Sequence, residues 1–336
     1  NRLLTKNVEV GGAQQTTTYT YDANGNQLTA TDWLGNTTRA VYDPLNRVIE
    51  QWDAEDNRVE KLTYNENDLQ TVSLDARGNR TYFAYDKNNR LADTTDAEGH
   101  THSQGYDDKG NISIKTDANG NETHYDYDAM NRLIEVTNAL GEETAFTYDG
   151  MGNRLSMEDG RGNVTGYEYN ARNLMIAEIE PGGIIDGEYV DGLVTRYTYY
   201  SNGLLETTED KNGVTTTDTY DVYERKLSRV SGTVSIGYTY DGNGNLLTMT
   251  DDTGTTTRTY DERNRVLAKQ VPVIGTVSYG YDLIDGLAEG HHAEQSTDPK
   301  GNVVVKEYDK TGRLMAVTSD GEATTYEYYT NGSRHR

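Results

Sequence analysis

The 336-residue sequence contains no cysteine, which removes disulfides and thiolate metal sites from the forces that could hold a fold together. Phe and Trp are nearly absent, at two residues each. No stretch approaches the roughly 18 apolar residues that a membrane-spanning helix needs, and Asn1 opens without the basic, apolar and small-residue pattern of a signal peptide. Only 34% of residues are hydrophobic, a fraction that leans toward disorder if the order along the chain is ignored. Basic residues are in deficit: 31 Lys and Arg face 55 Asp and Glu, for a net charge of −24. That charge repels nucleic-acid phosphates and anionic headgroups. Neither nucleic acid nor membrane insertion is therefore expected.

What is abundant is Tyr, at 27 residues, and its positions are periodic. The dipeptide Tyr-Asp recurs at Tyr21, Tyr42, Tyr85, Tyr106, Tyr127, Tyr148, Tyr220, Tyr240, Tyr260, Tyr281 and Tyr308. Degenerate copies at Tyr64, Tyr169, Tyr199 and Tyr328 complete the series. Twelve of the fourteen intervals are 20 to 22 residues, so residues 1–336 read as one array of about fifteen repeats of about 21 residues. The two long intervals mark insertions near 171–197 and 283–306.

Each repeat is punctuated twice. About eleven residues after the Tyr comes Asp-x-x-Gly-Asn, as in Asp32–Asn36, Asp75–Asn79, Asp117–Asn121, Asp159–Asn163 and Asp298–Asn302, with looser versions between them. The turn glycines of this series are Gly35, Gly78, Gly99, Gly120, Gly141, Gly162, Gly213, Gly254 and Gly301. Nearer the Tyr, an Asn or Gly is followed by Arg and an aliphatic residue, as in Asn46-Arg47-Val48 and Asn131-Arg132-Leu133. Gly and Asn tolerate positive φ, and Asp and Asn side chains close local turns, so both signals predict reverse turns. The strand entering the Tyr alternates strictly, as in Phe83/Tyr85, Tyr125/Tyr127 and Tyr238/Tyr240, which is the period of a β-strand.

About thirty short strands joined by tight turns form one antiparallel meander. A sheet this wide curls or closes, because strands twist and open sheets beyond about ten strands rarely stay flat. The fold expected is all-β: tandem antiparallel hairpins in one continuous coiled sheet, a hollow, barrel-like spiral. A wall one sheet thick needs only one aromatic stripe per strand, and Tyr suits it, since its ring packs while its hydroxyl stays wet or bonds across strands.

The units Tyr127–Leu133 (Tyr-Asp-Ala-Met-Asn-Arg-Leu) and Tyr308–Leu314 (Tyr-Asp-Lys-Thr-Gly-Arg-Leu), followed by Asp-x-x-Gly-Asn, closely resemble Rhs or YD repeats, and the resemblance runs through essentially the whole chain. That family includes bacterial Rhs and polymorphic toxins, Tc toxin complexes, wall-associated proteins and teneurins. The resemblance implies a spiralling β-sheet that builds a hollow shell, in the toxins around a cytotoxic domain. It further implies a polypeptide cargo or neighbouring segments of the same shell as partners, and a secreted or cell-surface location with no signal visible in this chain. Complete toxin shells are longer and end in a core with an Asp-Pro-x-Gly element tied to autoproteolytic release. Asp298-Pro299-Lys300-Gly301 falls at an ordinary second-turn position and reads as a turn.

Other chemistry is thin. His100 and His102 lie two apart on an expected strand, one imidazole above the other, but solvated histidines are commoner than a metal pair and no third ligand is spaced to help. His291-His292 falls in an insertion and reads as a loop pair. Asp22–Asn26 superficially resembles a calcium loop, yet Thr31 stands where an EF-hand needs Glu; no cofactor is expected, with weak surface calcium sites as the minor alternative. There is no Gly-x-Ser-x-Gly elbow and no phosphate-binding Gly-x-x-x-x-Gly-Lys loop, so no catalytic residue is assigned and an enzyme is not expected. The remaining alternative to a shell segment is an adhesion or carbohydrate-binding module using exposed Tyr rows, with glycans as partners.

Overall fold

The computed structural model describes the chain except residues 1, 11–12, 186–187, 191–192, 330–333 and 335–336. The described residues form 32 β-strands and no helix. Thirty strands belong to one antiparallel sheet in which each pairs with the next along the chain; the other two, Gly183–Ile185 and Glu188–Val190, pair with each other. No helix is long and apolar enough to cross a membrane.

The turns explain the meander. In Asp117–Asn121 the Asp117 N–H donates to the Asn121 carbonyl at 2.9 Å and the Gly120 N–H to the Asp117 carbonyl at 3.0 Å. This is a three-residue hairpin loop, a type I turn closed by a residue at positive φ. Gly120 sits at φ 84°. The turn nearer the Tyr has the same geometry with Asn in that place: Asn131 is at φ 61° and donates to the Asp128 carbonyl. The two signals separated by sequence are thus one device used at both ends of most hairpins, and Asn substitutes for Gly because its short polar side chain tolerates that region. Gly254 differs, since Asp251 pairs directly with Gly254 across a two-residue loop.

At thirteen of the fifteen repeat Tyr a bulge directly precedes the Tyr where the strand pairs with its successor, for example between Asp126 and Tyr127 or between Thr147 and Tyr148. Bulges bend a strand and increase its twist. Repeated along the strip, they coil it. Two contacts show how far. The Asn36 side chain donates to the Gly290 carbonyl at 3.1 Å, and the Arg313 guanidinium pairs with Glu55. Asn36 and Glu55 lie in turns at the far end of their hairpins from the Tyr, whereas Gly290 and Arg313 lie at the Tyr end. Opposite edges of the strip therefore meet after one full coil of about twenty-three strand spacings. At ~4.8 Å per strand that coil has a diameter of ~35 Å.

Burial fits a single wall. The accessible surface is 21044 Å², against about 14,000 Å² for a packed monomer of this size. Among the described residues only Ala177, Ala293 and Ala316 are buried apolar side chains. Two of these lie within residues 286–316, where the coil overlaps itself.

The inserted segments sit at hairpin ends. Between Met175–Ile179 and Val194–Tyr199, which pair directly through Glu178 and Thr195, the chain makes the extra hairpin Gly183–Ile185/Glu188–Val190; the insertion's Asp186, Gly187, Asp191 and Gly192 lie outside the described residues. The second insertion is narrower than 283–306, because His292–Thr297 and Val303–Tyr308 are regular paired strands. Its extra length is the link 284–291.

Candidate functional site

The repeat chemistry converges at the Tyr end of the hairpins. In Asp128–Arg132, Asp128 Oδ1 accepts the backbone N–H groups of Met130 and Arg132 at 2.8 and 3.0 Å, while Oδ2 accepts Arg132 Nε at 2.6 Å. Arg132 also donates to the Asp149 carbonyl of the next repeat at 2.7 Å and lies over the Tyr148 ring, 4.8 Å from its centroid. Tyr148 in turn donates its phenol proton back to the Leu133 carbonyl at 2.7 Å. One turn is thereby tied to the next through an ion pair, a cation–π contact and a hydrogen bond.

The same reach, from the phenol to a carbonyl 14 to 16 residues earlier, recurs at Tyr42, Tyr64, Tyr85, Tyr106, Tyr127, Tyr240, Tyr260, Tyr281 and Tyr328. Tyr21 and Tyr199 make it over longer loops, to Leu3 and Met175. Tyr308 points its phenol at Glu294 instead. Tyr220 meets Tyr200 edge-on, and half-buried Tyr169 has a phenol pushed up by desolvation. Arginines cover rings at Tyr64, Tyr106, Tyr240, Tyr281 and Tyr328 as well. Repeats whose turn ends in Asn are joined differently. Asn26, Asn111, Asn153 and Asn245 each donate to the Asn at positive φ in the following turn, Asn46, Asn131, Asn173 and Asn264. Sequence reading identified the Tyr and the Asn-Arg pairs but not that Arg of one repeat serves the Tyr of the next; the signal was their constant spacing of about sixteen residues.

The turn glycines Gly35, Gly78, Gly99, Gly120, Gly141, Gly162, Gly213 and Gly301 all have φ between 78° and 89°. The Tyr-end turn around Gly25, built the same way, consumes the acidic group that resembled a calcium ligand. Asp22 Oδ1 accepts the N–H of Gly25 and Asn26, and Oδ2 accepts Asn26 Nδ2, each at 2.8 Å. Burial pushes the Asp22 carboxyl up, but these hydrogen bonds outweigh it and hold the carboxyl below the usual range. Asp298 accepts from Lys300 and Asn302 as an ordinary turn residue.

His100 and His102 do not share a strand face. His100 is the last residue of its turn, its Nδ1 2.9 Å from Asp96 Oδ2, because a side chain in that position folds back on the turn Asp as Asn121 does on Asp117. His102 lies in the strand Thr101–Tyr106. The ligand-type group that does assemble is Asp96, Glu98 and His100, with donor atoms within 4.8 Å. Asp96 in it already accepts two backbone N–H groups. His292 is likewise not a loop residue: it begins the strand His292–Thr297 and stacks on Tyr308, centroids 5.2 Å apart at 15°, since pairing with the preceding strand resumes at Ala293.

One polar cluster escaped the sequence. Asp218, two residues before Tyr220 where nine of the other fourteen repeats place an aromatic, is buried and accepts Lys226 Nζ at 2.7 Å and Arg229 Nε and a terminal nitrogen at 2.9 and 2.8 Å. The Arg229 hydrogen bonds hold its carboxyl below the usual range against the opposing effect of burial.

This arrangement leaves little for a sugar-stacking row, since the phenols are spent on carbonyls and guanidinium groups cover many rings. It also gives a direct expectation. Tyr148→Phe should lower stability by about 1 kcal/mol through loss of the bond to Leu133. Tyr82→Phe, at a ring 45% exposed, should change it by less than about 0.5 kcal/mol. Urea midpoints of the two variants make the comparison.

A family model, the RHS Repeat, matches residues 2–37, 106–143, 131–163 and 240–273. No curated protein sequence matches the chain. Among solved structures, the crystal structure of TcdB2-TccC3 superposes with a TM-score of 0.69 over 97% of this chain, at 13% identity. The Photorhabdus luminescens Tc holotoxin pore carrying TccC3-D651A does so with a TM-score of 0.58 over 95%, at 14% identity. The chain covers 19% of each of those chains, so it spans about a fifth of their length. What is shared at that identity is the fold. The RHS Repeat thus matches three stretches of the chain, and the chain shares the fold seen in these Tc toxin structures.

Proposed function

We propose that the chain is one coil of a β-walled shell that encloses a polypeptide cargo, a toxin domain, in a secreted or delivered bacterial protein. Its role is structural: about fifteen repeats of turn, strand and ladder form a wall, and the chemistry of each repeat is spent on holding its neighbours. The observation that carries the reading is the seam. Asn36–Gly290 and Glu55–Arg313 bring the two edges of the strip together after one coil, which turns a ribbon into an enclosure. Neighbouring shell segments are its partners in this reading.

The test is protection of the cargo. In the full protein that carries this array, the enclosed segment should resist trypsin, and Glu55→Arg, which sets like charges against each other at the seam, should speed its cleavage at least tenfold. A cargo cut equally fast in both proteins, or open to protease from the start, removes the enclosure reading.

A further inference from the structure

At five turn-tip positions, in four turns of the Tyr-end rim, the chain carries large apolar side chains that the turn itself does not need. Leu45, Met130, Met151, Val222 and Tyr223 stand at or next to the third position of their turns, and Met151 and Val222 are 74% and 91% exposed. The equivalent third position elsewhere holds Asn24, Asn67, Asn88 or Lys109, which shows that the hairpin loop accepts polar residues there. Exposed apolar tips of this kind mark a contact surface.

The seam identifies what covers such a rim. Where the coil overlaps itself, the Tyr-end turns 284–291 and 309–313 rest on the opposite-end turns 32–36 and 53–57. Beside the seam, Asp309 is 1% exposed. The opposite rim carries exposed apolar tips of its own, Leu140, Val273 and Ile274. We propose that the Tyr-end rim around Met130, Met151, Val222 and Tyr223 is a docking surface for the opposite rim of another coil of the same kind, presented by a second copy of this chain. The copies stack head to tail, each coil resting on the next as the chain's own ends do. Such a contact is heterologous, so it extends and does not close into a two-fold pair. The proposal rests on the seam and is independent of what the wall encloses.

Sedimentation of the chain over a concentration series tests it. Association should be concentration-dependent, and it should weaken at least tenfold in Met130→Asn/Met151→Asn and, separately, in Leu140→Asn, with the β-sheet circular dichroism unchanged. The cysteine-free sequence allows a directional check. A copy carrying Ala129→Cys should form a disulfide with one carrying Ala139→Cys, and not with a second Ala129→Cys copy. A chain that stays monomeric at high concentration, association unaltered by either set of substitutions, or cross-linking of like rims would each overturn the proposal. So would association through the end strands Thr5–Val10 and Glu322–Thr325.

Discussion

Asp309→Ala is expected to cost about 3 kcal/mol, the scale for removing one partner from a buried, hydrogen-bonded ion pair. Asp309 is 1% exposed and accepts four bonds: the N–H of Thr311 and of Arg313 at 2.9 Å, the Thr311 hydroxyl at 2.8 Å and Arg313 Nε at 2.7 Å. Burial pushes its carboxyl up, but these donors prevail and hold it below the usual range. Arg313 is also the residue that reaches Glu55 across the seam and covers Tyr328. The substitution therefore frees a turn, a cation and a coil contact together. Asp309→Asn keeps an oxygen for the two backbone N–H groups and should lose about half as much. Because repeat arrays couple mainly nearest neighbours, the loss should be local. Hydrogen exchange should rise in residues 286–328 and around Asp53–Asn57, while Leu91–Tyr148 stays protected. Uniform deprotection, or none, would contradict the seam.

The second large effect is acid unfolding. Turn aspartates along the whole array, among them Asp43, Asp86, Asp128, Asp149, Asp221, Asp241 and Asp298, have carboxyls held below the usual carboxylate range by turn hydrogen bonds, joined at several turns by an Arg partner. A carboxyl depressed in the folded state binds fewer protons there than in the unfolded chain. Its contribution is thus complete above the unfolded value and is lost as pH falls through the folded one. Each is small, but they recur at nearly every hairpin and titrate over the same range. The β-sheet signal should be flat above about pH 5 and collapse between about pH 4 and pH 2. A wall intact at pH 2, or melting above pH 5, would show that the carboxylates do not hold the turns. Salt should soften the transition only modestly, since the donors are mostly backbone N–H groups at contact distance.

Much of this was legible locally because the repeat is enforced by short-range chemistry. Asp followed three residues later by Gly or Asn predicts a hairpin wherever it occurs, and strict alternation into Tyr127 or Tyr240 predicts strands and their pairing with the next. Where reading failed, a side chain answered to its turn position and not to its strand. His100 folds back on Asp96, and His292 joins a strand because pairing resumes at Ala293. The Arg132–Tyr148 contact spans two turns, so the motif that names each partner does not name the pair.

By itself the amino-acid order determined the unit, the turns, the all-β class and the one-sheet meander, since all of these depend on residues within one or two hairpins of each other. Only the tertiary structure decided how tightly the strip coils and where its edges meet. Curvature is the sum of small bends at each bulge, with no residue that encodes it. Glu55 occupies a turn position that Arg77, Asn119 and Leu140 fill elsewhere; it becomes a seam residue only because the accumulated coil places Arg313, 258 residues later, beside it.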